Sequence, residues 1–332
     1  EPSFTKNFLV THKNPVVRMI AEARKINKVR TTFIDSIIKH EYKGRIHADI
    51  NQIRSDDGGT VTGRFSYSNP NLQQIPARGP DTGPLIRSLV IPEEGCKWGT
   101  FDYSQQEPRL VAHYSLKFEL PSVNDIADSY ENDPSTDFHK IVAEMAEIPR
   151  SQAKTINLGL MYGMGKNKLM AELGLMKESA EKLIRQYHVK APFVKQLMDN
   201  VMQRAQSSGR IRTLLGRLCR FHLWEQNQFG IHKSLPHDQA LVEHGPGIKR
   251  ACTYKALNKL IQGSAADMTK KAMVDLYKEG LLSHIQIHDE LDFSIESESQ
   301  ASKIKEIMEQ AVELEVPNKV DYESGPNWGE IK

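Results

Sequence analysis

Cysteine is scarce. The chain has three in 332 residues, Cys96, Cys219 and Cys252, an odd number and widely spaced. No disulfide framework and no zinc spacing follows from them, and the usage suits a reducing compartment. Long apolar runs are missing too. None approaches 18 residues and the amino terminus has no signal-peptide pattern, so no membrane partner is expected. A net charge of one sign is lacking, at +2, so the whole molecule is not a polycation. No internal repeat or low-complexity tract occurs. The chain opens on Glu1 rather than Met, so a fragment or a processed product is expected.

What is present describes an ordinary globular protein. Hydrophobic residues make up 39% and charged residues 26%, and the length allows more than one domain. Charge is unevenly placed. Residues 1–50 hold ten Lys/Arg against five Asp/Glu, and residues 289–332 hold four against twelve. The basic part is suited to face phosphates and the acidic part to face solvent.

Helical spacing runs from Val16 to about Lys39 and breaks at Gly44. Residues 45–90 read as irregular, with strand-like pieces. Trp98 to Asp102 reads as a short buried strand. Ser104 and Glu107 then read as a capping box that opens a helix. Residues 115–255 read as mostly helical, broken at prolines and at Gly209. A long helix is predicted from about Leu257 to Lys278, ended by Gly280. Two strands joined at His288-Asp289-Glu290 follow, then a helix near 302–314. Helix-rich and strand-rich stretches are segregated, which favours an α+β layout with an antiparallel sheet.

Two aspartates stand out. Asp102 and Asp289 each close an apolar, strand-like run, with more than half the chain between them. Carboxylates so placed suit hard divalent cations, and a pair sharing two ions suits in-line phosphoryl transfer. Between them lie Arg150, Lys154, Leu158 and Tyr162, spaced by four. On a helix this spacing makes one stripe: two cations, an apolar group and an aromatic hydroxyl. Cations near a helix start would meet a polyphosphate, and the groups beyond would meet a flat base. Gly159 and Gly163 would let a base or a backbone approach.

The order of motifs resembles DNA polymerase family A, the DNA polymerase I family. Thr62-Gly63-Arg64-Phe65-Ser66 with Asn69-Pro70-Asn71-Leu72-Gln73-Gln74-Ile75-Pro76 is similar to its template-primer segment. The run Asp102 to Arg109 is similar to motif A, and Arg150 to Gly163 to motif B. Gln262 to Asp267 resembles the segment before motif C, and His288-Asp289-Glu290 resembles motif C itself. The likeness runs from about residue 20 to the carboxyl terminus and suggests a viral, phage-type or organellar member.

The resemblance implies a right-hand polymerase fold: an antiparallel-sheet palm at 41–136 and 244–332, helical fingers at 137–243, and a residual thumb helix within 1–40. It implies two Mg2+ ions, replaceable by Mn2+, held by Asp102, Asp289 and the Tyr103 carbonyl, with Glu290 in support. Arg150, Lys154 and His139 would bind the triphosphate, with Lys154 also the proton donor to pyrophosphate. Leu158, Tyr162, Glu107 and Gln105 would complete the nucleotide site, Glu107 as the gate against a 2′-hydroxyl. Arg64, Asn71, Gln73, Asn258, Gln262, His288 and Gly163 would meet primer-template DNA. Contacts to acceptors shared by all base pairs would sense pair geometry rather than sequence.

Some positions depart from the family pattern. Leu158 stands where Phe or Tyr is usual, Gln106 and Pro108 replace apolar residues, and Tyr254 replaces a frequent basic residue. Most of the thumb and any exonuclease or other replication domain would lie on sequence outside this chain. The implied activity is dNTP addition to a primer 3′-hydroxyl in a soluble intracellular setting, a cytoplasm, that of an infected host, or an organelle. The alternatives are a single-subunit RNA polymerase relative, a non-catalytic DNA-binding accessory protein and a two-metal nuclease.

Overall fold

A computed structural model describes residues 4–53, 58–76, 82–162, 164, 166–228, 230 and 233–331. The predicted first long helix is present as α1 (Pro15–Val29), and a π turn, Arg30–Ile34, carries it into the helical Asp35–Lys39. The irregular 45–90 stretch holds a small antiparallel ribbon, β1 (Asp49–Asn51) with β2 (Ser66–Ser68).

The strand around Asp102 is β3 (Lys97–Tyr103). It is followed by α2 (Gln106–Lys117), α3 (Phe138–Ala146), α4 (Arg150–Met161), α5 (Lys177–Lys190) and α6 (Pro192–Ser208). Proline opens α6, where a missing N–H is harmless, and Gly209 closes it at φ 68. The stretch beyond differs from the mostly helical expectation. It holds the hairpin β4 (Arg210–Arg212) and β5 (Leu218–Arg220), then a three-stranded sheet built from Leu223–Gln226, Leu235–Pro236 and Ile248–Arg250. Strands of two to four residues are shorter than any window in which a period can be read.

Helix α7 (Ala256–Lys278) matches the predicted long helix, and Gly280 follows it at φ 74. Then come β6 (Ile285–Ile287), β7 (Glu290–Ile295), α8 (Glu298–Gln310) and β8 (Val320–Gly325). Helix α8 lies earlier than expected because Ser297 caps it, its side chain accepting from the Gln300 N–H.

The central sheet is antiparallel with strand order β6-β7-β3-β8. Alternation along β3 divides its residues between two faces. Phe101 and Tyr103 join Leu291, Phe293 and Val320 in a core under α7 and α8, where the Tyr103 hydroxyl donates to the Met308 carbonyl at 2.7 Å. Burial of each such aromatic contributes roughly 1.5–3 kcal/mol. Trp98, on the opposite face, packs with Phe33, Tyr67, Ile285 and Trp328 in a second cluster. Thr100 and Asp102 share that second face. One sheet face is thus sealed by helices, and the other carries the polar groups.

Arg109 fixes the start of α2. It is 1% exposed, and its guanidinium donates to the carbonyls of Ser104, Pro134 and Pro317 while stacking over Tyr130 at 4.4 Å.

Candidate active site

Register brings the two aspartates together. Asp102 pairs with Glu290 on β7, and the Tyr103 N–H donates to the Asp289 carbonyl at 3.2 Å. Asp289 occupies the two-residue turn between β6 and β7, with His288 in the left-handed region at φ 56. Gln286 steadies this turn by donating to the His288 carbonyl at 2.7 Å. Gln73 in turn reaches Gln286, and the Tyr67 hydroxyl accepts the Gln286 N–H. Gln73 therefore braces the turn that carries Asp289. Asn71 lies two residues before Gln73, at the start of the same short helical turn, its Oδ1 buried and unpaired among the described residues.

The same register exposes what the sequence reading missed. Across the sheet, Asp321 lies opposite Asp102 on β8, as Glu290 does on β7; one row down, Glu323 and Asp292 flank Thr100. Five carboxylates share this face. The alternation Asp321-Tyr322-Glu323 was the available signal. Asp102 opens to solvent, but the protein around it desolvates its carboxyl, and Asp289, Glu290, Asp321 and Glu323 add repulsion, which pushes its pKa up to about 8. Burial pushes Asp289 up to about 6 against the pull of Arg64. Asp292 is fully buried; burial first, and then Glu290 beside it, push its pKa well above the usual carboxylate range. Asp292 and the Trp328 indole N–H both face Glu290 as hydrogen-bonding partners.

No three acidic, His or Cys side chains close into a metal cage among the described residues. The sheet offers instead an open set of oxygen donors: two carboxylates and a main-chain carbonyl, beside an excess of negative charge. That set fits hard divalent cations.

The predicted capping box does not form. Helix α2 starts at Gln106, and Gln105, at φ 54, makes no side-chain cap. Glu107 is drawn elsewhere: Arg64 donates to its Oε1 at 2.7 Å, and the Tyr162 hydroxyl to its Oε2 at 3.1 Å. The ion pair is largely shielded, at 20% and 14% side-chain exposure. Gln262 hydrogen-bonds Tyr162 from α7, one turn beyond Asn258 on the same half-buried face. The Gln105 amide is used on backbone, donating to the Thr136 carbonyl and accepting from the Phe138 N–H, both at 2.8 Å. Gln105 therefore anchors α3. The departure at Gln106 is accommodated in the core, where its amide donates to Thr269.

The stripe on α4 forms as expected. Ala153, Ile156, Asn157 and Leu160 turn inward, while Arg150 and Lys154 are exposed, Leu158 is half-buried and Tyr162 ends the helix. Gly163 lies outside the described residues. Arg150 is held by Asp137, with Nε to Oδ2 at 2.7 Å, and Asp137 also caps α3 through the N–H groups of His139 and Lys140. Lys154 has no ion-pair partner among the described residues. His139 is 8% exposed, and burial lowers its pKa to about 4.

His113 is likewise buried and lowered to about 4. Both rings stay neutral in the fold while the unfolded chain protonates near pH 6.5, so stability is full above that pH and is lost as pH falls towards 4. His113→Gln is expected to remove on the order of 2–3 kcal/mol of this acid loss, seen as a flatter denaturation midpoint between pH 6.5 and 4.5. An unchanged acid slope would refute it.

The sequence profile described as DNA polymerase family A matches residues 3–330. The chain belongs to that family. A DNA-directed DNA polymerase of Pseudomonas phage M6 is 37% identical over 99% of this chain and 54% of its own length. DNA polymerase I of Geobacillus stearothermophilus is 34% identical over 96% of this chain and 35% of its own. In structure, the chain resembles the POL domain of Pol1 from M. smegmatis, solved in complex with DNA primer-template and dNTP. The TM-score is 0.79 at 27% identity, covering 98% of this chain and 56% of that one. The family A chain thus spans about half the length of its phage relative and about a third of the bacterial enzyme. No helix among its described residues is long and apolar enough to cross a membrane.

Proposed function

We propose that the chain carries the catalytic centre of a template-directed DNA polymerase, adding dNTPs to a primer 3′-hydroxyl with release of pyrophosphate. One observation carries the reading. The cation–apolar–aromatic stripe of α4 ends on Glu107, which Arg64 also holds, beside the carboxylate face of the sheet. A triphosphate site and a hard-cation site therefore adjoin one another.

Asp102 and Asp289, with the Tyr103 carbonyl, would hold two Mg2+ ions, or Mn2+ in their place. When bound, such ions would supply the positive charge that activates the 3′-oxygen and stabilises the leaving phosphate. The chain's own residues do the rest. Lys154, exposed and without an acidic partner among the described residues, would meet the β- and γ-phosphates and protonate departing pyrophosphate. Arg150 would share itself between Asp137 and the γ-phosphate, and His139 would add a hydrogen bond. Leu158 would cover the base with apolar bulk. Arg64, Gln262, Asn258 and His288 would line the new pair. Asn71 and Gln73 lie on the segment that braces the turn of Asp289, and Gly163 would adjoin the template.

The palm would comprise 41–136 and 244–332, the fingers 137–243, and the helix within 1–40 a remnant of the thumb. Thumb, exonuclease or other replication domains would belong to the remainder of a longer protein. Primer extension with dNTPs and with rNTPs, each with and without magnesium, tests the reading. Extension with rNTPs alone would favour an RNA polymerase, and none in any condition a DNA-binding accessory protein.

Glu107 makes a sharper test. Its two oxygens are engaged by Arg64 and Tyr162, which would hold the carboxylate against a 2′-hydroxyl. Glu107→Ala is expected to raise relative ribonucleotide use by about 10²-fold, as loss of a clash and of a shielded ion pair predicts. An unchanged dNTP/rNTP ratio would leave Glu107 with a structural role alone.

A further inference from the structure

We infer that Asn157 and Tyr187 are positioning residues for His139, fixing which of its ring nitrogens carries the proton. The importance of this for nucleotide binding rests on the proposed phosphate contact of His139; the tautomer itself does not.

Three fingers helices meet around a short buried polar chain. His139 comes from α3, Asn157 from α4 and Tyr187 from α5. Asn157 and Tyr187 are both 0% exposed. The Tyr187 hydroxyl donates to Asn157 Oδ1, and Asn157 Nδ2 lies 3.1 Å from His139 Nδ1. Burial leaves neither side chain a water to substitute for its partner.

The chain has a direction. A carboxamide has one accepting end and one donating end. With Oδ1 taken by the hydroxyl, the amino group faces the imidazole, and an amino group offers no lone pair. Nδ1 must then accept, which puts the ring proton on Nε2. The ring stays neutral, because burial and the nearby Lys154 and Arg150 oppose a second proton, against a weaker pull from Asp137. Nε2 makes no hydrogen bond to any described residue, so its N–H remains available. A neutral donor beside two cations suits a non-bridging phosphate oxygen.

The opposite tautomer would be unfavourable there. If the amide turned over, Oδ1 would draw the proton to Nδ1. Nε2 would then present a lone pair to a phosphate oxygen, replacing attraction by repulsion. That turn of the amide would leave the buried Tyr187 hydroxyl proton without the acceptor it has in Asn157 Oδ1, so Tyr187 stands against it.

The test is two-bond 1H–15N spectroscopy of 15N-histidine-labelled chain at neutral pH. His139 is assigned by the signals lost in His139→Gln. The spectrum is expected to show a bare Nδ1 and a protonated Nε2. Asn157→Asp replaces the donating end by an acceptor and should move the proton to Nδ1 or protonate both nitrogens. It should raise the dNTP KM about tenfold with kcat nearly kept, as loss of one charge-assisted hydrogen bond predicts. Combining it with His139→Gln should add no further loss. Tyr187→Phe should give a mixture of tautomers. Wild-type protein with its proton on Nδ1 overturns the inference, even if the variants fail to fold. An unchanged tautomer in folded Asn157→Asp also overturns it. A protonated Nε2 together with an unchanged KM in His139→Gln would leave the relay standing and remove the phosphate contact.

Discussion

Primer extension is expected to fall by at least about three orders of magnitude in Asp102→Ala or Asp289→Ala, since losing several kcal/mol of transition-state stabilisation slows a reaction that far. Primer-template affinity should change little. The two aspartates stand at the end of one strand and in the adjacent turn, where the Tyr103 N–H donates to the Asp289 carbonyl. Their neighbours Glu290, Asp321 and Glu323 add repulsion at Asp102. Removing a desolvated carboxyl that the fold disfavours in its ionised form takes away that penalty, and both variants should fold at least as stably as the parent. Loss of activity with raised or equal thermal stability would separate a chemical defect from a folding one. Near-normal extension in either variant would overturn the assignment of these residues.

The second large effect concerns stability. Arg109→Met is expected to cost about 3–5 kcal/mol, a large share of a typical domain's total. The guanidinium is buried and satisfies three carbonyls from three separate segments, those of Ser104, Pro134 and Pro317. Methionine fills much of the volume but leaves those carbonyls without a donor. Equilibrium denaturation would read the change. A loss below about 1 kcal/mol would mean that water or rearranged backbone replaces the donor.

Much of the site was legible in the sequence, for identifiable reasons. The spacing of Arg150, Lys154, Leu158 and Tyr162 is a helical period and survives folding unchanged. The apolar runs before Asp102 and Asp289 are strands, because alternation and turn chemistry are local properties. The failures were non-local or too short to read. Ser104 and Glu107 have capping-box spacing, but Arg64 and Tyr162 compete for the carboxylate and win it. The carboxylates of Asp321, Glu323 and Asp292 acquire meaning only through register with β3, and register is written in pairing rather than in any one segment. The Gln105 amide also holds backbone, at Thr136 and Phe138, a structural role that no local pattern shows.

The strand order has a consequence for how the protein is made. Strand β3 (Lys97–Tyr103) precedes both of its neighbours, β7 (Glu290–Ile295) and β8 (Val320–Gly325), by more than half of the sequence. The helices between them can form from local contacts as they leave the ribosome, but β3 must wait unpaired. Its apolar side chains, Trp98 on one face and Phe101 and Tyr103 on the other, are exposed during that interval, the condition in which strands mispair with other chains. Slow translation or truncation after residue 289 would therefore be expected to yield aggregation rather than a partly active enzyme, and chaperone dependence should centre on this one strand.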